Sequence, residues 1–286
     1  MSTRIHILGS GTPTPTADRF GSAFAVEVDG RLSLVDCGPA TTWKLAKVGL
    51  PITAISDLFF THHHFDHNVD YPCFVLTRWD QSAESNPLRV YGPPPTERIT
   101  HQLFGPEGAF APDYTARVEW ESSQKVYINR GGELPRIPPQ IEAHDIGDGF
   151  TIENDFWRIT TAVPLHAQPY LESLAYRIET AEGSIVFTGD TEPCDAVREL
   201  AAGADVLFCM AWEIAERVRE TGETIGTCDV TDAARMASDS GVSKLVLVHS
   251  GPGVSAPENI GAAVEEARRS FGGEIVFAEE LTQISL

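Results

Sequence analysis

The chain has 286 residues, 42% of them hydrophobic and 22% charged, a composition that suits a soluble globular protein with a substantial core. No apolar run nears the about 20 residues needed to cross a bilayer, and five scattered cysteines with no C-x-x-C pair point away from disulfides and towards a reducing cytoplasm. Forty-one acids against 21 bases leave a net charge of −20, which argues against a nucleic-acid partner because such binding draws on neutralised phosphates.

The opening "MSTRIHILGSGTPTPT" lacks a signal-peptide apolar stretch and reads as mature sequence. Strands are expected at 4–8, 23–28 and 32–36, then a helix over 40–49 stopped by Gly49, and a strand at 56–61. From about 70 to 150 the chain turns rich in Pro, Gly and aromatics, which reads as an irregular insertion or cap. Four apolar strands follow at 184–190, 204–209, 244–250 and 274–280, with helices around 193–202, 229–240 and 256–270. Strands alternating with helices predict a layered α/β architecture, here one domain over 1–286 carrying the insertion.

Four of the nine histidines fall within six positions of "THHHFDH". In extended backbone, residues i and i+2 point the same way, so His62 and His64 can converge while His63 points elsewhere. Asp66 and His67 follow a turn and suit a second site a few ångströms away. Each site needs about three protein donors plus water, so distant residues must complete them. His166, Asp190 and His249, each at an expected strand end, are the candidates.

"THHHFDH", a strand-end histidine, "TGD" and "VHS", together with "LGSGTPTPTADRFGSAF" and "LVDCG", resemble the metallo-β-lactamase superfamily in its ribonuclease Z-like branch. The resemblance runs from about residue 4 to 280. It implies a four-layer αββα sandwich of two mixed sheets. It assigns His62, His64 and His166 to one metal and Asp66, His67 and His249 to another, with Asp190 bridging. Asp36 is implied to support the ligand loop, and Asp66 also to orient the attacking hydroxide between two zinc ions. Manganese or iron would suit the same donor types.

The departures from ribonuclease Z shape the substrate expectation. The stretch "FCMAWE" lacks that family's histidine–glutamate pair, and "GTCDVTDAA" lacks its catalytic-loop histidine. Only residues 167–189 are free for the arm that grips transfer RNA. The sequence therefore favours a small organic substrate: a lactone, a cyclic amide or an aryl ester of carboxylic, phosphoric or sulfuric acid. Trp79, Phe104, Phe110 and Trp120 of the insertion would wall its pocket. The rival readings are a phosphodiesterase or ribonuclease Z-type endonuclease, and a metal-binding regulatory protein without efficient turnover. A homodimer through the exposed part of the insertion is one option, and no membrane association is expected.

Overall fold

Runs such as "VLFCM" and "KLVLV" leave no side of a strand for water, so their sheets must be covered on both faces. The computed structural model describes residues 2–286. The first half of the chain supplies strands β1 (Thr3–Ser10), β2 (Ser22–Val28), β3 (Arg31–Val35), β4 (Ile55–Phe59), β5 (Leu88–Gly92) and β6 (Ile141–Asp145). The second half supplies β7 (Thr151–Glu153), β8 (Arg158–Ala162), β9 (Ala175–Glu179), β10 (Ser184–Phe187), β11 (Val206–Met210), β12 (Lys244–Val248), β13 (Glu274–Phe277) and β14 (Thr282–Ser285).

They form two seven-stranded sheets, ordered β14-β1-β2-β3-β4-β5-β6 and β13-β12-β11-β10-β9-β8-β7. Both are mixed. β1 to β3 pair antiparallel and β3 to β6 parallel; β7 to β10 pair antiparallel and β10 to β13 parallel. The two halves thus repeat one plan that no sequence repeat betrays. Only β14 crosses back, antiparallel to β1.

Parallel neighbours need crossover connections, and the helices provide them. On the first sheet these are α1 (Thr41–Lys47), α2 (Phe65–Asn68), α3 (Tyr71–Gln81), α4 (Thr96–Phe104), α5 (Ala111–Glu119) and α6 (Glu121–Asn129). On the second they are α7 (Asp195–Ala201), α8 (Ala215–Thr221), α9 (Val230–Ser240) and α10 (Pro257–Arg268). Side chains alternate accordingly. Val206 and Phe208 of β11 join Phe24, Phe59 and Phe187 between the sheets, while Leu207 and Cys209 face Val197, Ala233 and Ala263 of the helices. Leu34, Leu58 and Val90 pack outward against Leu45 and Phe74. The result is four layers, αββα. Among the described residues no helix is long and apolar enough to cross a membrane.

The segment 70–150 differs from the irregular cap expected of it. It holds α3 to α6, and its strands β5 and β6 extend the first sheet. Its prolines misled because two of them open helices: Pro72 and Pro112 occupy the first turns of α3 and α5, where a missing N–H costs nothing.

Candidate metal centre

Most of the functional side chains leave the C-terminal ends of parallel strands, the edge where open α/β sheets place their sites; His166 instead follows the antiparallel β8. Asp36 follows β3, the histidine loop follows β4, Asp190 follows β10 and His249 follows β12. Two of these turns are tight: Asp36 and His249 have φ values of 61° and 49°, a left-handed conformation uncommon outside glycine that Asp and His adopt more readily than most side chains. Gly38 of "VDCG" lets that turn pack under the histidine loop, since a Cβ there would run into the Asp66 carbonyl.

Seven donors converge in two groups, His62, His64, His166 and Asp190 in one and Asp66, His67 and His249 in the other. In the first, His64 Nδ1 lies 3.0 Å from His62 Nε2 and 3.2 Å from His166 Nε2. In the second, His249 Nε2 lies 3.2 Å and His67 Nε2 3.6 Å from Asp66 Oδ2. Asp190 stands between. Its Oδ2 is 3.8 Å from both His62 and His166 and 3.3 Å from His249, and its Oδ1 is 3.5 Å from His67. All but His64 and His166 are buried.

The far ring nitrogens fix the tautomers. His67 Nδ1 donates to Asp36 Oδ2 over 2.7 Å, so Nε2 is the nitrogen that would offer its lone pair to a bound cation. Thr61 ties the loop to the same carboxylate: its N–H and its hydroxyl both donate to Asp36, at 2.7 and 2.8 Å. With its proton so used, the Thr61 oxygen accepts from His62 Nδ1 at 3.1 Å. His166 Nδ1 donates to the Gly226 carbonyl at 2.8 Å. His62 Nε2 and His166 Nε2 thus both aim lone pairs at His64 Nδ1, which carries one proton at most.

Three converging nitrogens with at most one proton among them fit a cation, and so do the buried atoms left over. Asp66 Oδ1, Asp190 Oδ1 and His67 Nε2 make no hydrogen bond, a costly state unless something else engages them. Ligands about 2.1 Å from an ion at tetrahedral angles stand roughly 3.4 Å apart, close to the spacings seen here. The electrostatics agree. Burial, the charge of His67 and that of its other imidazole neighbours hold His62 well below the usual histidine range, neutral as a ligand must be. Burial disfavours charge on Asp190, but His249 and His67 outweigh it and keep the carboxyl well below the carboxylate range. The cluster fits divalent metal ions.

A family model described as the β-lactamase superfamily domain matches residues 31–250. The chain belongs to that superfamily, in its metallo-β-lactamase, ribonuclease Z-like branch. Its donor set is that of a metal-dependent hydrolase. It is 31% identical to a ribonuclease Z of a Mycobacterium species, across 99% of this chain and 95% of that one. The metallo-β-lactamase fold protein YhfI of Bacillus subtilis superposes with a TM-score of 0.76 over the full length of both chains at 18% identity. The short form of human tRNase Z gives 0.68 over 98% of each at 20% identity.

These relatives overturn the expectation that nucleic acid is no partner. Net charge misled because counterion release depends on the few side chains that meet the phosphates, not on the whole surface. The aromatics expected to wall a pocket also need correction, since they do not gather at the metal edge. Trp79 donates to the Ile137 carbonyl and lies under the Arg136 guanidinium, 4.0 Å from its ring centre. Phe104 is buried against Tyr71 and Phe110 in the outer core, and Trp120 is 64% exposed between α5 and α6. The cavities that Trp79 and Phe110 line hold no donor residue.

His63 turns away as expected, hydrogen-bonding Thr96 and Asn68. The sequence reading passed over Thr61, Glu192, Trp212 and Gly226, which hold the donors. Thr61 had a signal, as a hydroxyl directly before the histidine run; the carbonyl of Gly226 had none.

Proposed function

We propose that the protein is a phosphodiester hydrolase of the ribonuclease Z type, cleaving RNA with two zinc ions. His62, His64 and His166 would hold one ion and Asp66, His67 and His249 the other, with Asp190 shared. The observation that carries this reading is the position of Asp190, within 3.3–3.8 Å of donors from both groups, in a chain alike end to end to proteins named ribonuclease Z. Imidazole and carboxylate donors of this kind favour zinc. Two such ions, when bound, supply a nucleophile at neutral pH and offset the charge of the phosphate. Asp66 turns Oδ2 toward His249 and His67 and keeps Oδ1 without a hydrogen-bond partner, so whichever oxygen does not hold an ion would orient the attacking water.

A surface hollow of about 830 Å³ gives RNA a place to lie beyond the reacting phosphate; it has no donor residue in its lining, so it would hold a flanking part of the substrate and not the cleaved bond. Residues 16–20, α1 and residues 252–257 line it, so one wall starts at Pro252, three positions after His249. Charge does not make the hollow attractive: Arg19, Lys44 and Lys47 are matched by Asp18, Glu279 and Glu280. Trp43 does. It is 59% exposed with Lys47 4.6 Å from its ring centre, a face on which a base can stack.

The test is incubation of zinc-loaded protein with a transfer RNA precursor carrying a 3′ extension, beside bis(p-nitrophenyl) phosphate, a lactone panel and aryl esters. RNA cleavage that chelation abolishes is expected. Rapid lactone or carboxylic ester hydrolysis with intact RNA would refute the proposal.

A further inference from the structure

We propose that residues 223–228, between α8 and α9, form a strap that sets the imidazole orientations in both halves of the metal site, with Glu192 as the positioning residue that holds it down. The inference rests on the metal-binding reading above and adds residues outside the donor set. Gly226 is the contact with the first half. Its carbonyl accepts from His166 Nδ1 at 2.8 Å, and its N–H donates to Glu192 Oε2 at 2.9 Å. Glu192 is itself fixed to the segment bearing His166, its N–H donating to the Leu165 carbonyl at 2.7 Å. A closed ring of contacts therefore runs from His166 through Gly226 and Glu192 back to the residue before His166. The position demands glycine twice over: φ is 71°, and a Cβ would run into the His166 backbone.

The contact with the second half passes through Trp212. His249 differs from His62, His67 and His166 in that its Nδ1 has no hydrogen-bond partner. Packing must orient its ring. His67 lies on it, with centroids 5.2 Å apart and planes 27° from parallel, and Trp212 lies 6.2 Å away at 28°. The strap holds Trp212 at both ends: Glu223 Oε2 accepts from the indole N–H at 2.9 Å, and the Cys228 carbonyl accepts from its backbone N–H at 2.9 Å. One short segment thus grips the His166 ring directly and the His249 ring through Trp212. In this chain it occupies the stretch where the ribonuclease Z pattern has its catalytic-loop histidine.

The experiment measures zinc affinity by competition with a chelator, and amide exchange across residues 223–228, in wild type, Glu192→Ala, Glu192→Gln and Glu223→Ala. Partners that orient metal ligands typically contribute 10–100-fold in affinity. Glu192→Ala is expected to bind one zinc about 10–100-fold more weakly and to exchange faster at Gly226. Glu192→Gln, which keeps an acceptor oxygen for the Gly226 N–H, should restore most of both. Glu223→Ala should weaken the other zinc. The proposal is overturned if Glu192→Ala binds both ions like wild type, if its strap exchanges no faster, or if Glu192→Gln is as impaired as the alanine. Should Glu192→Ala fail to fold, Glu223→Ala at an exposed position decides alone, with unchanged affinity for both ions overturning the strap. Zinc-loaded wild type that leaves RNA intact counts against the proposed function only, whereas wild type that takes up no zinc overturns both.

Discussion

Asp36 accepts a 2.7 Å hydrogen bond from His67 Nδ1, with both residues buried. The same carboxylate takes the Thr61 N–H and hydroxyl, so one side chain fixes the start of the histidine loop and the ring of one donor. Asp36→Ala would leave His67 free to rotate and both Thr61 donors unpaired. Zinc affinity at the site that includes His67 is expected to fall about 10–100-fold, while Asp36→Asn, which keeps an oxygen acceptor for the ring, should lose less. Competition titration of each variant checks this.

Metal removal should be visible in stability. Asp36, Asp66 and Asp190 are all buried at one sheet edge, and without cations they depend on His67 and His249 for charge balance. Burial disfavours charge on His67, but Asp190 and Asp36 hold it well above the ordinary histidine range. A ligand at 100 times its dissociation constant stabilises by about 2.7 kcal/mol. In a chain of this size that is worth roughly 5–10 °C in melting temperature. Chelation should lower the melting temperature of wild type by this order and leave Asp190→Ala nearly unmoved. Equal shifts in the two would count against a shared carboxylate.

The positions of the candidate donors are legible because they are local signals: a histidine run with i, i+2 spacing, and single donors at the ends of strands. The strands buried on both faces, β10 to β12, announce themselves in the same way. Short, half-exposed β7 and β14 do not, having few apolar residues to mark a face. The helices of 96–129 were hidden by prolines and glycines that sit at helix starts and in the connections. Trp43 and Trp120 are both tryptophans at exposed positions, and only folding puts one of them in the hollow proposed for RNA. What holds the donors is a matter of tertiary contact, as the Gly226 carbonyl shows.

Trp43→Ala tests the route proposed for RNA. Stacking of a base on an aromatic side chain contributes about 1–3 kcal/mol, so KM for RNA should rise roughly 5- to 150-fold. Zinc content and turnover of bis(p-nitrophenyl) phosphate, too small to reach the hollow, should not change. The side chain is exposed, so stability should not fall. An unchanged KM for RNA would show that the substrate lies elsewhere.

The last prediction concerns Asp80 at the end of α3, which gathers Arg117, Arg130 and Arg136 at 2.7–3.3 Å. Arg136 is buried, with its guanidinium over the rings of Trp79 and Tyr127, so the carboxylate joins α3, α5, α6 and the chain leading to β6. Burial alone would raise the Asp80 carboxyl, but hydrogen bonds from Arg130 and Arg136 and the charge of Arg117 outweigh it and hold it below the ordinary carboxylate value. A group depressed in the folded state stabilises fully above its unfolded pKa, near 3.9, and loses that contribution as pH falls through the lower folded value. Asp80→Asn should therefore cost stability at neutral pH, by about 1–3 kcal/mol for charged hydrogen bonds of this kind. The gap between wild type and variant should close in acid. Denaturant unfolding of both proteins between pH 7 and pH 3 measures it, and a gap that stayed constant would show that the arginines do not act through the Asp80 charge.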